Sequence, residues 1–94
     1  MRNYRLSNTA REDLLRIYAY GVSSFGKAQA ELYFEKLFTC FDYIKDAPFS
    51  FQAVDHIKQG YRRCVCGVSS IYYKVEKDGV DIIMIVGQED VPSS

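Results

Sequence analysis

The sequence changes character at residues 60–73, which read Gly60-Tyr61-Arg62-Arg63-Cys64-Val65-Cys66-Gly67-Val68-Ser69-Ser70-Ile71-Tyr72-Tyr73. The β-branched and aromatic residues on both sides of Gly67 are typical of strands, so we predict strands over residues 61–66 and 70–75. A third strand is predicted over residues 80–86, which are nearly all apolar and follow a Lys-Asp-Gly turn signal. Strands joined by such short connections pair as an antiparallel meander.

Before this stretch, the pattern predicts one strand and two helices. Residues 4–6 favour a brief first strand. An apolar stripe at helical spacing then runs to Phe25, and a second helix is predicted over residues 27–45. Only Gly26 and its neighbours separate the helices, so they must fold back as a hairpin. The predicted fold is α+β: a short N-terminal strand, an α-helical hairpin, and an antiparallel three-stranded meander forming one small sheet.

The boundaries of these elements are predicted from capping residues and breakers. Thr9 and Glu12 have the spacing of a capping box at the start of the first helix, and Ser7 or Asn8 is an alternative cap. A first-turn position near the positive end of the helix dipole explains the adjacent carboxylates of Glu12 and Asp13. Residues 49–58 are predicted to be a connecting loop, and residues 87–94 a tail.

Length, charge and cysteine content limit the classes of protein to which the chain can belong. Ninety-four residues are enough for one domain, residues 1–94, and the 12 basic residues equal the 12 acidic ones. Zero net charge argues against a general nucleic-acid binder. No apolar run reaches the ~20 residues of a membrane span, and residues 1–5 lack a signal-peptide pattern. Three cysteines do not make an even disulfide set, so we predict a cytoplasmic protein without membrane contact.

The cysteines and the single histidine predict no metal or cofactor site. Cys64 and Cys66 lie two residues apart on a predicted strand and therefore share a face. Only Cys40 and His56 remain as further ligands, without a zinc-like spacing. We therefore predict that Cys64 and Cys66 are buried thiols. No nucleophile motif surrounds His56, which is interpreted as a loop residue.

Arg62 and Arg63 are the strongest candidates for binding. On a strand they point to opposite faces, so a given surface includes only one of them. Arginine binds carboxylate or phosphate with two parallel hydrogen bonds, although a solvated strand end is an equal alternative. Tyr61, Tyr72 and Tyr73 are close enough to the arginines to share a surface with one of them.

The chain resembles the ParE branch of the ParE/RelE toxins from bacterial toxin–antitoxin modules. The resemblance rests on the order and spacing of Tyr4-x-Leu6-Ser7, Ala10, Asp13-Leu14, Ile17, Phe25-Gly26, Gln29-Ala30, Tyr33, Leu37, Pro48, Gly60-Tyr61-Arg62 and Ile71-Tyr72-Tyr73. It implies a toxin neutralised by an antitoxin whose C-terminal segment covers the helix hairpin and the sheet. The wide apolar face of the second helix fits such a partner. The antitoxin-binding candidates are Tyr33, Phe34, Leu37, Phe38, Phe41, Tyr72 and Tyr73.

The resemblance also implies a target. ParE-like toxins poison DNA gyrase, whereas RelE-like toxins cut messenger RNA on the ribosome with a set of basic residues around the sheet. Met84 stands where relatives often carry an arginine, so we expect gyrase inhibition without chemistry of the chain's own. The target-binding candidates are Tyr61, Arg62, Arg63, Gln88 and Glu89. The alternatives are a RelE-like nuclease that uses an arginine and a tyrosine, or an attenuated toxin that only binds its antitoxin.

Overall fold

The computed structural model describes residues 3–87. In chain order its elements are β1 (Asn3–Leu6), α1 (Asn8–Phe25), α2 (Lys27–Asp46), β2 (Gln52–Ala53), β3 (Tyr61–Cys66), β4 (Ser69–Glu76) and β5 (Gly79–Val86). This order confirms the predicted α+β fold, with a short strand, a helical hairpin and a meander. Neither α1 nor α2 combines the length and apolarity needed to cross a membrane. Of the predicted tail, residues 87–94, only Gly87 lies within the described residues.

The sheet contains the predicted meander and extends it at both edges. Its strand order is β1-β5-β4-β3-β2. β3, β4 and β5 pair antiparallel, but β1 pairs parallel to β5, so the sheet is mixed rather than purely antiparallel. Gln52 and Ala53 form β2 inside the segment predicted to be a loop, because they pair with Arg63 and Arg62 at the open edge of β3. Two residues are too few for a periodicity to be visible.

The helical hairpin covers one face of this sheet. Leu37, Phe41 and Ile44 of α2 and Leu14 and Ile17 of α1 are buried against the sheet. The same core includes Cys64, Cys66, Ile71, Tyr73, Val80, Ile82 and Ile85 from the strands. The apolar stripe of α1 leaves this core near its C-terminal end, where Phe25 is 67% exposed. Part of the predicted stripe therefore faces solvent.

Ser7 caps the N-terminus of α1 and links it to the sheet by a hydrogen bond. Its Oγ accepts a hydrogen bond from the Ala10 N–H at 2.9 Å and donates one to the Ile83 carbonyl at 2.6 Å. Ile83 lies opposite no residue of β4, so a bulge leaves its carbonyl available. Thr9 lies inside the helix, and the capping box is therefore wrong while the alternative at Ser7 is correct.

Asp13 has a different role from the one predicted. The helix begins at Asn8, so its first turn contains no acidic residue. Instead, one Asp13 carboxylate oxygen accepts the Ile85 N–H at 2.9 Å, and the other pairs with Arg16 at 2.7 Å. The carboxylate thus completes the hydrogen bonding of β5.

Cys40 and Cys66 form a disulfide, which corrects the prediction that Cys66 is a thiol. Packing of α2 on β3 brings their Cα atoms to 6.5 Å, within the range that a disulfide spans. Sequence spacing could not reveal the pair because 26 residues separate the two positions. Cys64 is a buried free thiol, as expected.

We predict that Ser7→Ala lowers the free energy of unfolding by about 2 kcal/mol, since it removes both a helix cap and a bond to β5. Urea denaturation monitored by circular dichroism measures this change. Thr9→Ala is the control, because Thr9 is exposed inside the helix and alanine favours helix there. Equal losses in the two variants would contradict the assignment of the cap.

Candidate functional site

An apolar groove opens between the helical hairpin and the β3–β4 turn. Its cavity has a volume of about 370 Å³. We call it the hairpin groove. It is lined by Ile17, Tyr18, Tyr20, Gly21, Phe25, Gln29, Ala30, Tyr33, Phe34, Val68 and Ser69.

The floor of the groove depends on small residues where the helices approach each other. A Cβ atom at Gly21 would lie 3.2 Å from the Cβ of Ala30, so a larger side chain here would push the helices apart. Gly26, with φ of 90°, reverses the chain just beyond. The rings of Tyr20 and Phe25 lie edge to face at 6.3 Å beside this crossing. The end of the hairpin therefore presents aromatic surface to solvent.

The β3–β4 turn forms the opposite wall of the groove, and the Tyr33 hydroxyl holds this turn in place by hydrogen bonds. It donates to the Cys66 carbonyl at 3.0 Å and accepts the Val68 N–H at 3.2 Å. Ser69 Oγ lies 2.7 Å away and is the donor in that pair, because a hydroxyl has one proton to give. Gly67 lies under the ring with φ of 61°, where a Cβ would come within 2.8 Å of Tyr33 Cε1. The turn therefore requires glycine for both its backbone and its space.

The chemistry of the groove suits an apolar partner. At its mouth Phe25 is 67% exposed and Val68 is 63% exposed. Its lining includes no charged residue and only a few polar groups, such as Gln29 and Ser69. A contiguous exposed apolar surface of this kind is typical of an interaction site.

Arg62 and Arg63 point to opposite faces of the sheet, as predicted. Arg62 lies on the helix side, where its Nη1 donates to the Phe51 carbonyl at 2.7 Å and its guanidinium stacks 5.0 Å from the centre of the Phe49 ring. A shallow cavity of about 280 Å³ between Phe49, Tyr61 and Lys74 includes Arg62 in its wall. Arg62 thus anchors the loop that follows α2.

Arg63 lies on the face that the helices leave open. Its Nη2 donates to Gln52 Oε1 at 3.3 Å, and its buried Nε has no acceptor among residues 3–87. Across the strands it neighbours Tyr72, which in turn neighbours Met84. On the open sheet face, the guanidinium of Arg63 therefore lies beside Tyr72 and next in line to Met84, and one of its N–H groups makes no hydrogen bond within the described residues.

Tyr73 is unsuited to proton transfer at neutral pH. Its side chain is 0% exposed, and its hydroxyl donates to the Pro48 carbonyl at 2.6 Å. Burial raises the pKa of Tyr73 to about 12, although the Arg62 charge opposes this shift. The phenol therefore stays protonated. Within the described part of the chain, the His, Cys, Asp and Glu side chains form no cluster of three that could hold a metal ion.

The structure separates the antitoxin-binding candidates into three groups. Tyr33 and Phe34 line the hairpin groove, and Phe38 is half-buried behind them. Leu37, Phe41 and Tyr73 are fully buried in the core and do not line the groove. Tyr72 is buried on the other face of the sheet. Gln88 and Glu89, two of the target-binding candidates, lie outside the described residues.

Of the residues that line the groove, sequence reasoning singled out only Tyr33 and Phe34 as candidates. Tyr18, Tyr20, Phe25 and Val68 were not among the candidates, although all of them line the cavity. The available signal was the α1 stripe, which continues to Phe25 although the helix has no core left to cover there. Val68 carries no signal because a single valine in a tight turn has no periodicity.

Comparison with known proteins gives one consistent family. The family model for the ParE toxin of the type II toxin–antitoxin system parDE matches residues 4–92. Toxin ParE1 of Caulobacter vibrioides is 34% identical over 88 residues, which cover 94% of this chain and 91% of that protein. Toxin ParE1 of Mycobacterium tuberculosis is 30% identical over 86 residues, with 90% and 88% covered. A solved chain from the chromosomal ParDE system of P. aeruginosa shares the fold, with a TM-score of 0.82 at 17% identity over 93% of this chain and 96% of that one.

We predict that the folded chain loses stability as pH rises from about 10 to about 12. The unfolded chain ionises Tyr73 near its ordinary pKa of about 10, whereas the folded chain keeps it protonated to about 12. Urea denaturation at several pH values, for the native chain and for Tyr73→Phe, measures the effect. The contribution of Tyr73 is the difference between the two proteins in the slope of the free energy of unfolding against pH. Identical slopes would contradict the raised pKa.

Proposed function

Because the chain belongs to the ParE toxin family of type II toxin–antitoxin systems, we propose that it inhibits DNA gyrase in the cytoplasm and is neutralised by a cognate antitoxin. The family match over residues 4–92 is the observation that carries this proposal. It covers every element of the fold from β1 to β5 apart from Asn3. Inhibition would proceed by binding, without a reaction catalysed by this chain.

The antitoxin is proposed to bind in the hairpin groove through an amphipathic helix. Such a helix presents apolar side chains at positions i, i+3, i+4 and i+7 along one face, which an apolar groove accepts. Phe25 at the end of α1 and Val68 in the β3–β4 turn both line the groove and are both mostly exposed. Covering them removes apolar surface from water, which favours association.

The gyrase-binding surface is proposed to lie on the open sheet face, around Tyr61 and Arg63. Arg63 is half-buried on this face, and a guanidinium can bind a carboxylate of a partner protein through two parallel hydrogen bonds. Gln88 and Glu89 follow β5 in the sequence and are proposed as further target-binding residues. Arg62 would contribute indirectly, because it holds the Phe49–Phe51 loop on the other face.

The chemistry of the tyrosine and arginine candidates supports inhibition by binding over messenger RNA cleavage. A nuclease of the RelE type would need a tyrosine able to give or take a proton and a cation free to meet phosphate. Tyr73 has its pKa raised to about 12. Arg62 is engaged by the Phe51 carbonyl and the Phe49 ring. The most buried tyrosine and its nearest arginine thus serve the structure.

We predict that Val68→Asp weakens antitoxin binding at least about tenfold, since a carboxylate at the groove mouth must lose its hydration when an apolar helix covers it. Isothermal titration of the purified chain with its cognate antitoxin measures the dissociation constant. Val65→Asp is the matched control, because Val65 is 64% exposed and Val68 63%, but Val65 lies on the open sheet face away from the groove. Equal effects of the two substitutions would refute the groove as the docking site.

We predict that the chain inhibits supercoiling of plasmid DNA by purified gyrase, and that Arg63→Ala raises the half-inhibitory concentration by about tenfold. Loss of one well-placed arginine at an interface costs on this order. Arg5→Ala is the control, because Arg5 is an exposed arginine at the far edge of the sheet, paired with Asp81. Absence of inhibition by the native chain would rule out gyrase as the target, and equal losses for both variants would reject Arg63.

A further inference from the structure

We propose that the Cys40–Cys66 disulfide is a redox-operated clamp on the hairpin groove. Oxidation fixes α2 against the β3–β4 turn and holds the groove open in its binding shape, whereas reduction loosens this wall. Its consequence for antitoxin affinity rests on the function proposed above. The coupling between the disulfide and the groove rests on the structure alone.

The disulfide and the groove share one residue. Cys66 is bonded through its sulfur to Cys40, and its carbonyl accepts the Tyr33 hydroxyl at 3.0 Å. Tyr33 and Cys40 lie seven positions apart on α2, which is about two helical turns, so they face the same side. The helix therefore holds the end of β3 at two levels, through a covalent bond and through the hydroxyl that lines the groove.

Other groove residues depend on the same contact. Val68 and Ser69 form the far wall, and both hydrogen-bond to the Tyr33 hydroxyl. Neither residue has another described bond to α2. If α2 moves relative to Cys66, the Tyr33 hydroxyl moves with it and the wall loses its fixed position. Reduction removes the covalent restraint beside the groove and leaves these hydrogen bonds and the core packing of α2 on the sheet.

The reaction is a thiol–disulfide exchange with a low-molecular-weight thiol. The thiolate attacks Cys40 Sγ, because Cys40 is half-buried whereas Cys66 is only 2% exposed. The disulfide breaks, Cys66 leaves as a thiolate and takes a proton, and a second thiol releases Cys40 from the mixed disulfide. In sum, one protein disulfide and two thiols give two protein thiols and one small disulfide.

Cys64 is excluded from this exchange by its surroundings. It lies in the core with 4% of its surface exposed, and burial raises the pKa of its thiol. A thiol in such a site is a poor nucleophile because little of it is thiolate. The chain therefore contains a reactive pair and a neighbouring cysteine that serves as an internal control.

The oxidised chain should bind an apolar helix more tightly than the reduced chain. A groove that is already ordered loses less conformational freedom on binding. Coupling between two sites typically changes affinity by about fivefold or more. We therefore expect reduction to raise the dissociation constant of the antitoxin by about that factor.

Hydrogen exchange at the Val68 amide tests the clamp without an antitoxin. This N–H donates to the Tyr33 hydroxyl, so its protection reports directly on the groove wall. The purified chain is oxidised with a small disulfide or reduced with a dithiol, and thiol counts confirm each state. We expect exchange at Val68 to quicken at least about fivefold on reduction. Cys64→Ala should respond as the native chain does, and Cys40→Ser with Cys66→Ser should not respond.

Each outcome decides the proposal. Unchanged Val68 exchange between the two redox states of the native chain overturns the clamp, and this comparison holds even where the double variant fails to fold. An unchanged free-thiol count under oxidant and reductant overturns it as well. Faster exchange with unchanged antitoxin affinity supports the clamp and rejects the groove as the antitoxin site. Faster exchange with weaker binding supports both.

Discussion

The contact between the Tyr33 hydroxyl and the β3–β4 turn constrains the whole arrangement. It ties α2 to the sheet beside the disulfide, since one oxygen atom joins Cys66, Val68 and Ser69. The contact exists only because Gly67 has no side chain, which would otherwise fill the space of the phenol ring. Once α2 is placed, Leu37, Phe41 and Ile44 fall into the core and α1 must follow through Gly26. The groove is the space left where α1 extends beyond the sheet.

The two faces of the sheet consequently have different chemistry. The helix side is apolar and packed, and even Arg62 there is occupied with the backbone and an aromatic ring. The open side has Tyr61 and Arg63, with a guanidinium nitrogen that remains unpaired in the described residues. Binding of an antitoxin at the hairpin and of a target at the open face would therefore involve separate surfaces. A toxin built this way would keep recognition of its two partners physically distinct.

Elements set by local pattern could be predicted, and contacts between distant segments could not. Turn residues predict where the two helices end, at Gly26 and near Pro48. Runs of β-branched and aromatic residues predict the three long strands. The parallel pairing of β1 with β5, the Asp13 bond to Ile85 and the Cys40–Cys66 disulfide depend on positions far apart in the chain. Local spacing also offered three caps for α1, and only the bulge at Ile83 explains why Ser7 is the one used. Of the groove, only Tyr33 and Phe34 on α2 were among the candidates, and Val68 shows no periodicity because it lies in a turn.

The pairing of β1 with β5 also has a consequence for synthesis on the ribosome. The first strand made, Asn3–Leu6, finds its partner only when residues 79–82 have been translated and released. Ser7 likewise cannot form its hydrogen bonds to the carbonyls of Ile82 and Ile83 before β5 has been made. Contacts of such high sequence separation form late. A nascent chain therefore cannot complete this sheet before β5 has emerged from the ribosome, which delays the appearance of the folded domain.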